Sequence, residues 1–295
     1  MPSHLTFKAK NGKIIKKSGS IKMNFKAYCT DLDGTLLNSK AELSAENKEA
    51  MKKIVKEGVL LVPTSGRTIK EMPESILEHP SVRYLIYSNG AGVIDKLTGE
   101  RSEVLINSVT AHEIFGIMKE YPHLCVVHHD LECYVDGEAL IRREEYFLND
   151  NYYNQFLKTN VIKSGFIDLV RKFDSFESIV IFFGKNTDQK SCIEKISKVK
   201  GIFITSSVGG NIEIMADGAN KGSGIKRFAK MVNVDLANVI CSGDGENDID
   251  MLKACGLSLA VANSKPKIKA CAKELICSCD EHVAKFVYEN YIAKN

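Results

Sequence analysis

The sequence predicts an α/β protein: a Rossmann-like parallel-sheet core, interrupted once by an inserted α+β domain. Three observations predict it. Short apolar runs alternate with helix-like stretches toward both ends of the chain, which is the βαβ rhythm of a parallel sheet. That rhythm breaks in the middle, where strand-like runs crowd together. Polar clusters also stand where the apolar runs stop, at 31–35, 65–67, 89–90 and 244–248. In open α/β sheets, ligands bind just beyond the carboxyl ends of the strands.

Composition sets the bounds. The chain has 295 residues, 44% hydrophobic and 26% charged, enough for one large or two ordinary domains with a buried core. The net charge of +3 is too small to point to nucleic acid. Much of it lies in Lys8, Lys10, Lys13, Lys16, Lys17, Lys22 and Lys26, with no acid before Asp31. Residues 1–24 therefore read as a flexible basic tail. This head lacks the apolar core of a secretory signal, and no run reaches the length of a membrane span. A cytoplasmic protein with no membrane contact and no evident protein partner is expected. Nine scattered cysteines with no CxxC spacing read as reduced thiols rather than a disulfide framework.

The first strand is Phe25–Thr30, ending at Asp31-Leu32-Asp33-Gly34-Thr35-Leu36. Ser44 caps a helix over 45–57, with Ala50, Met51, Ile54 and Val55 as its apolar face and Gly58 as its stop. Val59–Val62 is a second strand, ending at Pro63-Thr64-Ser65-Gly66-Arg67. Arg83–Tyr87 is a third, ending at Ser88-Asn89-Gly90. The turn signal Leu97-Thr98-Gly99-Glu100 then marks a change of pattern. A capping box at Thr110–Glu113 opens a helix. Strand-like runs follow at 125–128, 133–135, 178–183 and 202–206, with helix-like stretches at 151–158 and 188–199. The inserted domain is placed at 99–208, and the core at 25–98 and 209–295. From Asn211–Ile214 the βα rhythm is expected to resume, with a helix from Lys221 to Met231 and a strand at Val239–Ser242. A helix over Ile249–Ala254 and final strands at 257–261 and 275–278 follow.

In a parallel sheet all carboxyl ends face one edge, so the polar clusters converge there. Asp31, Asp33, Asp244 and Asp248 then bring four negative charges together against one Lys221. At roughly 4 Å and an effective dielectric near 20, each like-charge pair costs about 4 kcal/mol. A hard divalent cation with oxygen ligands relieves that, and Mg2+ suits a few carboxylates plus water and phosphate. The chemistry points to a phosphate ester substrate.

Asp-Leu-Asp-Gly-Thr-Leu, Thr-Ser-Gly-Arg, Lys221 and Gly-Asp-Gly-Glu-Asn-Asp resemble the four ordered motifs of the haloacid dehalogenase superfamily. The long stretch between the second motif and Lys221 resembles the Cof-type sugar-phosphatase branch, which carries a large α/β cap there. The resemblance implies a Mg2+-dependent phosphatase of small phosphorylated metabolites, working through an aspartyl-phosphate. It implies Asp31 as nucleophile and Asp33 as general acid and base. It implies metal ligation by Asp31, Asp244 and the Asp33 backbone carbonyl. It gives Ser65, Gly66, Arg67, Lys221 and Asn247 to the phosphoryl group and substrate, with Asp248 and Asn247 orienting Lys221 and the metal's water. A phosphomannomutase-like phosphotransferase shares the double-Asp motif and a similar cap, and a non-catalytic phosphate-binding protein shares the fold.

Several residues carry plainer readings. Arg67 either binds substrate or pairs with an acid. Asn89-Gly90 is a turn or a ligand contact. His128 and His129, adjacent on a strand, point to opposite faces and read as a pair lining the cleft or exposed rather than as metal ligands. Tyr146, Phe147, Tyr152, Tyr153 and Phe156 read as the core of the inserted domain.

Overall fold

The computed structural model describes residues 24–146, 148, 150–159, 161–206 and 210–293. The basic head up to residue 23 lies outside them, as do Phe147 and the side chain of Tyr152.

The core is built on Ala27–Thr30. This strand pairs in parallel with Leu60–Pro63 on one side and Val239–Gly243 on the other. Leu257–Ala260 and Glu274–Leu275 extend the sheet beyond 239–243. Tyr84–Tyr87 runs beside Leu60–Pro63 through parallel bridges at Leu61–Val82 and Thr64–Ile86. The central strand alternates as a sheet covered on both faces requires. Ala27 and Cys29 pack with Ile225, Phe228, Met251 and Leu252, from the helices Lys221–Met231 and Ile249–Ala254. Tyr28 turns the other way, to Met51, Ile54, Val283 and Val287, from the helices Ala45–Lys56 and Val283–Val287. Ser44 caps the first of these helices, its side chain accepting from Asn47 N.

The inserted domain has a six-stranded sheet of its own. Its order is Ile202–Thr205, Asn211–Ala216, Ser178–Phe183, His123–His129, Glu132–Asp136 and Val161–Lys163. All neighbours are antiparallel except the last pair. One face packs on the helices Ser108–Met118 and Gln189–Ile196. The other face buries Leu124, Val126 and Phe182 with Tyr146 and Phe156, the aromatic core expected of this domain.

Three expectations are corrected. Asn211–Ala216 is a cap strand, hydrogen-bonded to Ser178–Phe183 and Ile202–Thr205. The return to the core therefore comes after it, not at 209. The break at 98/99 cuts a hairpin, because Arg101–Glu103 pairs antiparallel with Gly92–Asp95, which pairs with Tyr84–Tyr87. An apolar β-favouring run announces a strand, but only long-range pairing decides which sheet it joins. The helix expected from a box at Thr110 starts at Ser108, capped by Asn107, whose side chain accepts from Thr110 N.

Candidate active site

Asp31 follows the last residue of the central strand, and its backbone N–H donates to Ser242 O at 2.9 Å. The next residues form a wide turn, closed by Leu36 N to Asp31 O (3.2 Å) and Leu37 N to Leu32 O (2.8 Å). Gly34 sits in this turn at φ 74°, and a Cβ there would lie 2.6 Å from Asp244 Oδ2. A side chain is excluded twice over, by conformation and by the close approach to Asp244. Thr35 Oγ1 donates to Asp244 Oδ1 at 3.3 Å. The first and fourth polar clusters therefore meet, as neighbouring parallel strands require.

Lys221 opens its helix, capped by Asn220, whose side chain accepts from Ser223 N at 2.8 Å. Its ammonium is wholly buried and donates to Asp31 Oδ1 at 2.5 Å and Asp248 Oδ1 at 2.7 Å. Burial alone would favour the neutral amine, but the carboxylates of Asp248 and Asp31 outweigh it and hold the Lys221 pKa above its usual value. Asp248 Oδ2 accepts from the backbone N–H groups of Asp244 and Gly245, both at 2.9 Å. Both Asp248 oxygens thus already have partners. Asp31, Asp244 and Asp248 bring oxygens within 4.8 Å of one another, and Asp248 acts as a brace between Lys221 and the Asp244 and Gly245 backbone.

Asp31 and Asp244 are short of positive charge. Burial, with the charges of Asp248 and Asp244, pushes the Asp31 carboxyl well above the usual carboxylate range, against the pull of Lys221. Burial and Asp248 push Asp244 up to about 6. Three carboxylates face one ammonium. A divalent cation between Asp31 and Asp244 fits both the oxygen donor set and the missing charge.

Across the central strand, Ser65 is buried and its Oγ accepts from Arg67 N at 3.1 Å. Gly66 packs on Asn89, with a Cβ position 3.1 Å from the Asn89 amide. Asn89 is a bridge: its Oδ1 accepts from Asn247 Nδ2 at 3.0 Å, and its Nδ2 donates to Glu213 Oε2 at 2.5 Å. Asn247 is therefore tied to Asn89, while Asp248 is the residue that orients Lys221. Of the two readings of Arg67, substrate or an acid, the structure has the second. Arg67 Nε and Nη2 donate to the two Asp33 oxygens at 2.8 and 2.9 Å, and its Nη1 donates to Glu71 O at 2.9 Å. The Asp33 side chain is half exposed, at 49%.

The two histidines point to opposite faces, as alternation demands. His129 stacks on Phe173 with ring centroids 4.0 Å apart. His128 is neither in the open cleft nor exposed: it is 4% accessible and sits 3.1 Å from Glu71 Oε2. Sequence reasoning missed Glu71, Glu177 and Glu213. They are acids inside ordinary helix or strand patterns, and only their burial marks them.

The arrangement is an α/β core with a second, mostly antiparallel sheet inserted in the chain and an acidic cluster at the carboxyl ends of the core strands. The chain belongs to the haloacid dehalogenase-like hydrolase family, whose family model matches residues 28–287. Phosphatase YwpJ of Bacillus subtilis (strain 168) is 27% identical over 275 residues, spanning 87% of this chain and 96% of that protein. The 5-amino-6-(5-phospho-D-ribitylamino)uracil phosphatase YwtE of the same organism is 28% identical over 282 residues, spanning 89% and 96%. Among solved structures, the subclass IIB sugar phosphatase BT4131 superposes with a TM-score of 0.76 at 20% identity, covering 91% of this chain and 100% of that one. That last likeness concerns the fold alone. The chain is a phosphomonoester hydrolase, as its motifs led us to expect. Phosphatases of this family generally use a divalent metal. Among the described residues no helix is long and apolar enough to cross a membrane, and all nine cysteines are free thiols.

Proposed function

We propose that the chain hydrolyses phosphomonoesters of small metabolites, sugar phosphates foremost, with Mg2+ and through an aspartyl-phosphate on Asp31. The observation that carries this reading is the charge imbalance at the strand ends: Asp31 and Asp244 lie close together, Lys221 is the cation hydrogen-bonded there among the described residues, and it is shared with Asp248. Asp31, Asp244 and the Asp33 backbone carbonyl would hold the ion. When bound, Mg2+ neutralises the carboxylates and draws charge from the phosphoryl oxygens.

The chain's own groups then divide the work. An Asp31 oxygen forms the bond to phosphorus as the ester bond breaks. A carboxylate needs no base to activate it. Asp33 gives its proton to the departing alkoxide, then takes one from the water that attacks the aspartyl-phosphate. That second step releases phosphate and restores Asp31. Lys221 has three N–H donors and uses two on Asp31 and Asp248, which leaves the third for a phosphoryl oxygen. The Ser65 hydroxyl accepts from Arg67 N and keeps its own proton to donate. Such donors are most effective where charge builds in the transition state. The cap covers the leaving group and excludes bulk water.

The test is a phosphatase screen with Mg2+ over sugar phosphates, glycerol phosphates and nucleotides. Free phosphate from sugar phosphates is expected, and Asp31→Asn should abolish it, by more than ~10³-fold, without unfolding the protein. Isomerised sugar phosphate with no phosphate release would assign the chain to phosphoryl transfer between hydroxyls. No turnover across the panel would assign it to binding.

A further inference from the structure

His128 lies in the cap, on the strand His123–His129, yet its nearest charged partner belongs to the core. Its Nε2 is 3.1 Å from Glu71 Oε2, and its Nδ1 meets Ser178 Oγ at 2.8 Å, which fixes the ring. Glu71 ends the short turn Ile69–Glu71 that follows Arg67, and its Oε2 also accepts from Thr68 N at 3.3 Å. Its backbone carbonyl accepts from Arg67 Nη1 at 2.9 Å, and Arg67 grips both oxygens of Asp33. A route thus runs from a buried cap imidazole to the Glu71 carboxylate, along that residue's own backbone to its carbonyl, and from there through the Arg67 guanidinium to Asp33.

The groups around this junction are engaged with one another. Cys133 brings its sulfur within 4.8 Å of the Glu71 and His128 donor atoms. Burial, followed by the Glu71 charge, holds its thiol well above the usual range, so it stays neutral there. Glu177 sits nearby but is fully engaged: Oε2 accepts from Ser88 Oγ (2.6 Å) and Thr68 Oγ1 (3.0 Å), and Oε1 accepts from Leu131 N (2.7 Å). Glu213 adds a more distant negative charge that His128 also feels. The Glu71 oxygen facing His128 is already shared with a backbone N–H.

We propose that His128 and Glu71 are positioning residues for Asp33: the seating of the cap on the core sets the direction of the general acid through Arg67. The inference rests on the role given to Asp33 above. A half-exposed carboxylate has many orientations open to it, and a bidentate arginine held from behind selects one. Arg67 is held from behind by Glu71 O, and the Glu71 turn is held by the cap. Placing the cap and aiming the acid are then one event.

The test separates the two claims. Replacing only one partner strands a buried charge and risks the fold. The decisive variant is therefore the double change Glu71→Leu/His128→Leu, which removes both charges together. His128→Gln, which keeps a donor toward Glu71, serves as the rescue. Turnover is measured with an alkyl phosphate, whose leaving group needs a proton, and with p-nitrophenyl phosphate, whose leaving group does not. Asp33→Asn is run alongside, alone and combined with the double change.

The double variant should lose roughly 10- to 100-fold in kcat on the alkyl ester and less than about threefold on the aryl ester. His128→Gln should stay near wild type. In the Asp33→Asn background the double change should cost nothing further, because the route no longer has an acid to aim. Equal losses on both esters, no loss at all, or a full additional loss in the Asp33→Asn background would overturn the inference. If Asp33→Asn discriminates between the esters and the double variant does not, the inference alone falls. If Asp33→Asn costs both esters equally, the general-acid role falls, and the inference with it.

Discussion

Two buried charge clusters, one at the carboxyl ends of the core strands and one where the cap strand His123–His129 meets the core, are opposite in kind. Around Lys221, three carboxylates face one ammonium. Around His128, Glu71 faces the imidazole directly, while the two other acids are held by hydrogen-bond donors, Glu177 on both oxygens and Glu213 by Asn89 Nδ2. The pKa directions report the same contrast. Asp31 and Asp244 are pushed up, by burial first and by neighbouring carboxylates next. Burial opposes both charges, yet Glu71 is pulled down by His128 with help from Thr68 N and Arg67, and His128 is held up by Glu71 with help from Glu177 and Glu213. The Asp31 and Asp244 carboxylates share little positive charge, which fits the cation proposed there, whereas Glu71, Glu177 and Glu213 each accept from a hydrogen-bond donor.

Three measurements break or sharpen that contrast. The largest effect is expected at Lys221. Lys221→Met should remove activity and leave three carboxylates with no internal cation. Breaking a buried pair in this way costs about 3–5 kcal/mol, read as a lower urea midpoint. Mg2+ should recover part of the stability but none of the turnover. An unchanged midpoint would mean that the cluster is far better solvated than its burial implies.

Metal dependence comes next. EDTA should silence the enzyme and Mg2+ should restore it and raise the melting temperature, while Ca2+ substitutes poorly because its looser coordination misplaces the nucleophile. Asp244→Asn should lose the melting response to Mg2+. A response that survives in Asp244→Asn would place the ion elsewhere.

The smallest effect tests the His128 cluster by pH. The folded pKa of Glu71 is lowered, so its contribution is present above its unfolded value near 4.5 and fades as pH falls through the folded value. The folded pKa of His128 is raised, so its contribution is complete below about 6.5 and fades as pH rises through the folded value. The pair should therefore stabilise the protein most between about pH 4.5 and 6.5. The difference in unfolding free energy between wild type and Glu71→Leu/His128→Leu should shift in the double variant's favour on either side of that window. A pH-independent difference would show that the pair does not titrate as a unit.

Much of the core was legible in the sequence because its signals are local. The helix Lys221–Met231 and its Asn220 cap follow from capping chemistry and periodicity. The helix Ala45–Lys56 follows from the same two rules, with Ser44 as its cap. Asp31 and Asp244 were placed together by one rule about parallel sheets, and the paired registers Thr30–Ser242 and Ser242–Leu259 bear it out. The failures share a cause as well. Asn211–Ala216 has every local mark of a strand, yet pairing with Ile202–Thr205 and Ser178–Phe183, which no local mark reveals, puts it in the cap sheet.

What the sequence determined by itself is the stock of groups at the strand ends: more carboxylates than cations, beside glycines that let backbone crowd them. Local patterning and counting suffice for that, since charge and chain direction do not depend on distant partners. Only the tertiary structure decided how those groups pair. It turned Arg67 onto Asp33, made Asp248 a brace for Lys221, and buried His128 against Glu71. Each of these outcomes depends on side chains from separate segments meeting within about 3 Å. A shift of one residue in register would have turned the strand's side chains to the other face.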